Sequence, residues 1–148
     1  VAPALRNKRE KVIEAVVSNG GMIGFSLYPH HLNNGSQCTL SDFCSMIARS
    51  ADRYGIDSIG IGSDLCQDQP DSVVEWMRVG RWSKTIDYGE GSSDHPGFPK
   101  QPDWFVDNRD FKNIEKGLIA VGFGMNEVES ILGKNWYNFY KNNFIALD

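Results

Sequence analysis

A carboxylate that follows a short apolar run is the first group in this 148-residue sequence that could do chemistry. The run is Ile59-Gly60-Ile61-Gly62, and Asp64 comes two residues after it. A carboxylate at the end of a strand can transfer protons to and from a bound substrate. It can equally cap the turn that follows. Position alone leaves both interpretations of Asp64 open.

Two adjacent histidines, His30 and His31, suggest a metal site at first sight. Neighbouring residues of an extended segment point to opposite sides, so both rarely reach one ion. The remaining histidine, His95, lies in a proline-rich stretch, where a solvated side chain is the ordinary expectation. The three cysteines show no CxxC spacing, which indicates free thiols and neither a zinc ribbon nor a disulfide framework. We therefore predict no metal site within this chain.

Composition and charge narrow the classes of function. With 41% hydrophobic and 23% charged residues, the chain resembles one ordinary globular domain with a modest core. A formal charge of -4 and the lack of a long basic run argue against binding to nucleic acid or an anionic membrane. The longest apolar stretch, residues 22–27, is far shorter than the roughly 20 residues of a spanning helix. Small neutral or amphoteric ligands fit this balance best.

The elements that must position Asp64 and His31 form a βαβ pattern. Residues 7–19 have helical spacing and end at Gly20-Gly21, and a strand is predicted over 22–27. Thr39 with Asp42 resembles a capping box, and the apolar stripe after it predicts a helix that ends before Gly55. The glycine-rich run at 59–62 predicts a buried parallel strand beside the first.

Two parallel strands and their helices cannot cover both faces of a sheet, although parallel sheets are almost always covered on both. We therefore predict an α/β fold that is an incomplete piece of a (β/α)8 barrel, with about two of its βα units. A small α/β sandwich completed by dimerisation is the alternative. The chain is interpreted as a single piece over residues 1–148, because no domain boundary is visible.

The second half of the chain begins with a change in composition. A short helix over 72–80 is followed, over 83–108, by a predicted long loop rich in proline and glycine. Its aromatic residues favour order, because disordered segments are poor in aromatics. A helix is predicted over 110–121.

A last helix is predicted over 127–142, with Asn126 as its N-cap and Glu129 as the acidic partner. The predicted buried face consists of Val128, Ile131, Leu132, Trp136, Phe139 and Tyr140.

Three segments, in order and spacing, resemble the membrane (renal) dipeptidase family of zinc dipeptidases. Arg6-Asn7 before a helix that leads to Gly20-Gly21-Met22-Ile23-Gly24 is similar to the family's Arg-Asn and seventh barrel strand. Ile59-Gly60-Ile61-Gly62-Ser63-Asp64 resembles its eighth strand. Leu132-Gly133-Lys134-Asn135-Trp136 is similar to the closing-helix pattern Leu-Gly-x-Asn-(aromatic or Leu). The resemblance spans nearly the whole chain, but only about the last two fifths of a family member.

The resemblance implies the C-terminal portion of a (β/α)8 barrel of the metal-dependent hydrolase type. The intact enzyme would hold two zinc ions, whose shared hydroxide attacks the carbonyl of a dipeptide. The family's metal ligands would all precede residue 1, so the expected partner of this chain is the missing N-terminal portion of the barrel. The chain alone is then expected to be inactive. A bacterial cytoplasmic or periplasmic location, and a homodimer, also fit the family.

The resemblance also assigns roles to three residues. Arg6 would bind the free carboxylate of the dipeptide, a task suited to the planar, permanently charged guanidinium. Asp64, at the carboxyl end of a barrel strand, would be catalytic, contacting the metal-bound water or the substrate's amino group and passing a proton to the leaving amine. His31 falls where the family lines its pocket after strand seven, and is a candidate substrate contact.

The stretch from Trp76 to Asp107 exceeds the short connection of the mammalian enzymes and resembles bacterial members of the family that have an insertion. Its aromatic residues Trp76, Trp82 and Trp104 could supply apolar contacts to a substrate side chain, or could pack among themselves on the surface. Two other functions stay open. One is the hydrolysis of other small amides or lactams on the same barrel, since fold does not fix function. The other is a non-catalytic binding or structural role, if the chain is complete as given.

Overall fold

The computed structural model describes residues 7–65, 68–73 and 97–144. Two short strands, β1 (Ile23–Phe25) and β2 (Ile59–Ile61), lie among the helices. The α-helices whose full extent is described are α1 (Glu10–Ser18), α2 (Leu40–Tyr54), α3 (Phe111–Ala120), α4 (Met125–Glu129) and α5 (Asn135–Asn143), with a π-helical turn (Ser130–Lys134) joining the last two. No helix in these residues is long and apolar enough to cross a membrane.

The two strands form a parallel pair, in which Gly24 lies opposite Gly60. The pairing continues beyond the strands, because the Gly62 amide donates to the Phe25 carbonyl at 3.0 Å and the Leu27 amide to the Ser63 carbonyl at 3.2 Å. The predicted parallel βαβ unit and the α/β class are therefore confirmed. Both strands are shorter than the sequence suggested, and the (β/α)8 barrel stays a prediction.

Helix α2 begins and ends where the sequence places it. The Thr39 hydroxyl accepts from the Asp42 amide at 3.1 Å and donates to the Asp42 carboxylate at 2.7 Å, so it acts as the N-cap. The helix stops at Gly55, whose φ of 85° favours glycine. The apolar stripe of α2 packs under the sheet, where Phe43 and Ile47 are fully buried.

The core lies between α2, α3, the sheet and the C-terminal helices. Gly117 allows α3 to approach α2 closely, because a Cβ atom at this position would lie 2.6 Å from the Cys44 sulfur. The fully buried residues include Leu27, Phe43, Ile47, Ile59, Phe105, Ile114, Leu118 and Ile131.

The predicted start of the last helix is wrong. Helix α4 begins at Met125, and the Gly124 amide donates to the Glu127 carboxylate at 2.8 Å. Gly122, with a φ of 107°, turns the chain out of α3 early enough to place Gly124 at the N-cap. Asn126 and Glu129 therefore lie within the helix and do not cap it.

The predicted buried face of that helix is correct at Val128 and Ile131 and wrong at Tyr140. Tyr140 is 55% exposed. Its ring stacks on Trp136 at a centroid distance of 6.0 Å, so Tyr140 covers the outer side of the indole and does not reach the core.

The described end of the long loop, residues 97–107, contains no helix or strand and packs on the core. Phe105 is fully buried, and the Trp104 indole donates to the Cys38 carbonyl at 2.7 Å while its ring contacts Phe43. Trp104 is thus a packed side chain. The predicted roles of Trp76, Trp82 and His95 lie outside the described residues, as does most of the helix predicted over 72–80. The loop over 83–108 and the single-piece organisation stay predictions.

Candidate substrate site at the strand ends

Two of the three predicted site residues, His31 and Asp64, follow the carboxyl ends of β1 and β2. They therefore lie at the same end of the sheet. β1 continues through Ser26 and Leu27 into the 3-10 turn Pro29–His31, and β2 continues through Ser63 to Asp64. The hydrogen bond from Leu27 to Ser63 joins the two exits. Arg6, the third residue, lies outside the described residues.

Asp64 has an unusual backbone and a free side chain. Its φ is 55°, in the left-handed region that aspartate tolerates better than most residues other than glycine. The side chain is exposed, and its carboxylate makes no hydrogen bond or ion pair within the described part of the chain. This geometry presents an exposed carboxylate just beyond the end of β2.

Ser26 and Tyr28 both contact the His31 side chain. Its Nδ1 atom lies 2.9 Å from the Ser26 hydroxyl. The same hydroxyl accepts a hydrogen bond from the Tyr28 backbone amide at 3.1 Å. The Tyr28 ring meets the imidazole edge-on, with centroids 5.1 Å apart. The half-buried ring is therefore oriented before any ligand arrives, whichever nitrogen carries the proton.

Asn7 connects the beginning of the described chain to the same turn. Its side-chain amide donates to the His31 carbonyl at 3.1 Å. Sequence reasoning missed this contact and that of Ser26, although Asn7 belongs to the Arg-Asn pair on which the resemblance rests.

A groove of about 420 Å³ runs between α1 and β1 and reaches His31. Its walls are mostly apolar, and Asp64 does not line it. The lining residues include Asn7, Val12, Ile13, Gly24, Ser26 and His31.

A metal site is not formed by the described residues. Among positions 7–65, 68–73 and 97–144, no group of three His, Cys, Asp or Glu side chains could hold an ion. Cys38 and Cys44 are buried free thiols, as predicted, and Cys66 lies outside the described residues. Burial raises the pKa of the Cys44 thiol to about 12, so it stays protonated and is a poor ligand and nucleophile at neutral pH.

Comparison with known families agrees with this geometry. A family model described as membrane dipeptidase (peptidase family M19) matches residues 1–82, more than half of the chain. The chain belongs to the membrane dipeptidase family. The match includes β1, α2, β2, His31 and Asp64, and also Arg6. The resemblance noted in the sequence is thereby confirmed.

One solved structure similar to this membrane dipeptidase family member is a crystal structure of an amidohydrolase from Pseudomonas aeruginosa. The TM-score is 0.79 at 22% identity, and the similarity covers 94% of this chain and 41% of that one. A likeness at this identity concerns the fold, and the chain spans less than half of the length of the amidohydrolase. No curated protein matches the sequence significantly.

Proposed function

We propose that this chain is the C-terminal portion of a metal-dependent hydrolase that cleaves dipeptides on a (β/α)8 barrel. The main support is the family match over residues 1–82, which covers the parallel βαβ unit and both of its carboxyl ends. In (β/α)8 enzymes the catalytic groups stand at these ends of the strands. His31 and Asp64 follow β1 and β2 there.

Asp64 is the proposed catalytic residue of this chain. It would bind the substrate's amino group or reacting water and pass a proton to the leaving amine. The exposure of its carboxylate just beyond the carboxyl end of β2 supports this role.

Arg6 and His31 are the proposed substrate-binding residues. An arginine fork can grip the free carboxylate of a dipeptide with two parallel hydrogen bonds. Asn7, which follows Arg6 in the chain, is bound to the His31 turn, and this supports a shared role at one end of the substrate. If Arg6 binds a carboxylate that lies one residue beyond the scissile bond, only dipeptides place their free carboxylate correctly. The enzyme would then be restricted to dipeptides.

The intact enzyme is proposed to use two zinc ions, but the described residues of this chain do not fit a dinuclear site. The metal ligands would come from parts of the barrel that this chain does not cover. We propose that this remainder packs along α1 and the open side of β1. None of the residues of α1 is buried, and Val12 is 46% exposed beside the groove.

A substrate panel tests the proposed function. The intact, metal-loaded enzyme is assayed with dipeptides and with the same dipeptides amidated at the C-terminus. We expect the free dipeptides to be cleaved, and kcat/KM to fall at least about 10-fold on amidation, because a charge-assisted bond is lost. If the enzyme cleaved small amides or lactams but no dipeptide, these compounds would replace dipeptides as the proposed substrates. No hydrolysis at all would support a binding or structural role.

A further inference from the structure

Two side chains of α5 hold the backbone of β2. The Asn135 amide donates to the carbonyls of Ile56 at 2.8 Å and Ile59 at 2.9 Å. The Trp136 indole donates to the carbonyl of Ile61 at 3.0 Å. Three carbonyls in and just before the strand are therefore bonded to two consecutive residues of one helix.

These bonds reach the side of β2 that faces away from β1. Successive residues of a strand direct their backbone groups to opposite edges, and the Gly62 amide donates to Phe25 of β1. The backbone N–H and C=O groups of Gly60 and Gly62 therefore point to β1. The carbonyls of Ile59 and Ile61 point to the opposite edge of β2. Among the described residues, the helix supplies donors to that edge. Each carbonyl oxygen has a second lone pair and can still accept from the strand that the proposed barrel would pair there.

The contact is close, and Asn135 within it is buried. Asn135 is only 5% exposed, so its amide would be costly to leave unpaired. A Cβ atom at Gly60 would lie 2.4 Å from the Trp136 indole nitrogen, so the ring rests directly on the strand. The π-helical turn Ser130–Lys134 comes immediately before Asn135, and such turns are frequent at functional sites.

Asp64 is only three residues beyond Ile61 along the chain, and Gly62 and Ser63 between them are bonded to β1 and to Leu27. A displacement of β2 would therefore also displace the backbone of Asp64. We propose that Asn135 and Trp136 are positioning residues that set the place of Asp64 through β2. This inference rests on the proposed catalytic role of Asp64.

The variant Trp136→Phe tests the inference in the intact, metal-loaded enzyme. It keeps an aromatic ring on the strand and removes the N–H donated to Ile61. We expect kcat for a dipeptide to fall about 10-fold while KM changes less than about twofold, because small displacements of a catalytic group are costly. Asn135→Ser, which removes both amide donations, is a second variant with the same expectation.

Trp104→Phe is the matched control, because it removes an indole bond to the Cys38 carbonyl, away from β2. We expect a similar loss of thermal stability and an unchanged kcat. Equal losses of kcat in the Trp104 and Trp136 variants would overturn the inference, since they would reflect stability alone.

The double variant with Asp64→Asn separates this inference from the proposed function. If Trp136 acts through Asp64, Trp136→Phe lowers kcat no further in the Asp64→Asn background. A full additional loss in that background would contradict the inference while leaving the function intact. A wild-type enzyme that cleaves no dipeptide, or an Asp64→Asn variant with normal kcat, would instead reject the proposed function and the inference with it.

Discussion

At the scale of single residues, Asp64 and His31 illustrate two ways of presenting a side chain. Asp64 is exposed, lies in the left-handed backbone region and makes no side-chain bond among the described residues. His31 is half-buried and oriented by Ser26 and Tyr28. The first arrangement suits a group that exchanges protons with a ligand, and the second suits a group that shapes a binding surface.

Substitution of Asp64 and Arg6 should separate catalysis from binding. We expect Asp64→Asn to lower kcat about 100-fold or more, the usual size of a general acid–base contribution. Arg6→Ala should mainly raise KM, about 10-fold to 100-fold, because charge-assisted bonds to the substrate are lost. Steady-state kinetics of the intact enzyme measure both effects. Exposed Asp57→Asn and Arg49→Ala are the controls, and the reverse pattern would show that the two roles are exchanged.

The ionisation of Asp107 should make the free energy of unfolding depend on pH in the acid range. Hydrogen bonds from the Arg109 guanidinium and amide lower the pKa of Asp107 to about 2. A carboxylate whose pKa is lower in the folded chain stabilises the fold above its unfolded pKa, and this stabilisation is lost as pH falls through the folded value. The contribution of Asp107 should therefore be complete above about pH 4 to 5 and disappear towards about pH 2.

Denaturant unfolding at several pH values tests this window by comparing wild type with Asp107→Asn. Their difference in the free energy of unfolding should be constant near neutral pH and shrink between about pH 4 and pH 2. Asp52→Asn, an exposed carboxylate on α2, is the control. A difference that does not change with pH would contradict the assigned effect of Arg109.

At the scale of elements, α2 connects the two strands, and Thr39 caps its N-terminus. Thr39→Ala should lower the free energy of unfolding by about 1 kcal/mol, because the Asp42 amide loses its acceptor. Thermal unfolding would show a decrease of a few degrees in Tm. Ser41→Ala, at an exposed position of the first turn, should have little effect. Equal decreases in the two variants would argue against the cap.

Local patterns predicted α2 well because its cap, apolar stripe and terminal glycine all agree. The start of α4 was predicted incorrectly because two local pairs compete there. Gly124 with Glu127 and Asn126 with Glu129 have the same spacing, and the turn at Gly122 decides between them. Tyr140 fits the helical period of the buried face, yet it is exposed because Trp136 already occupies the space above the sheet.

At the scale of the whole molecule, metal binding should depend on the remainder of the proposed barrel. The described residues of this chain form no group of three potential ligands. We expect the isolated 148-residue chain to retain no tightly bound zinc after dialysis, and the intact enzyme to retain two ions. Elemental analysis of both proteins measures the stoichiometry. Two ions in the isolated chain would contradict the proposed division of the site.

The sequence by itself determined the family, the parallel βαβ order and the candidates Arg6, His31 and Asp64, because these depend on short motifs and periodicity along the chain. Only the tertiary structure decided which groups meet. Asn7 and Ser26 contact His31, and Asn135 lies 76 residues from the carbonyl of Ile59 that it holds. A local pattern marks a residue as polar or apolar. It does not identify the distant backbone group that a buried amide will satisfy, since that partner is fixed only when the helices pack on the sheet.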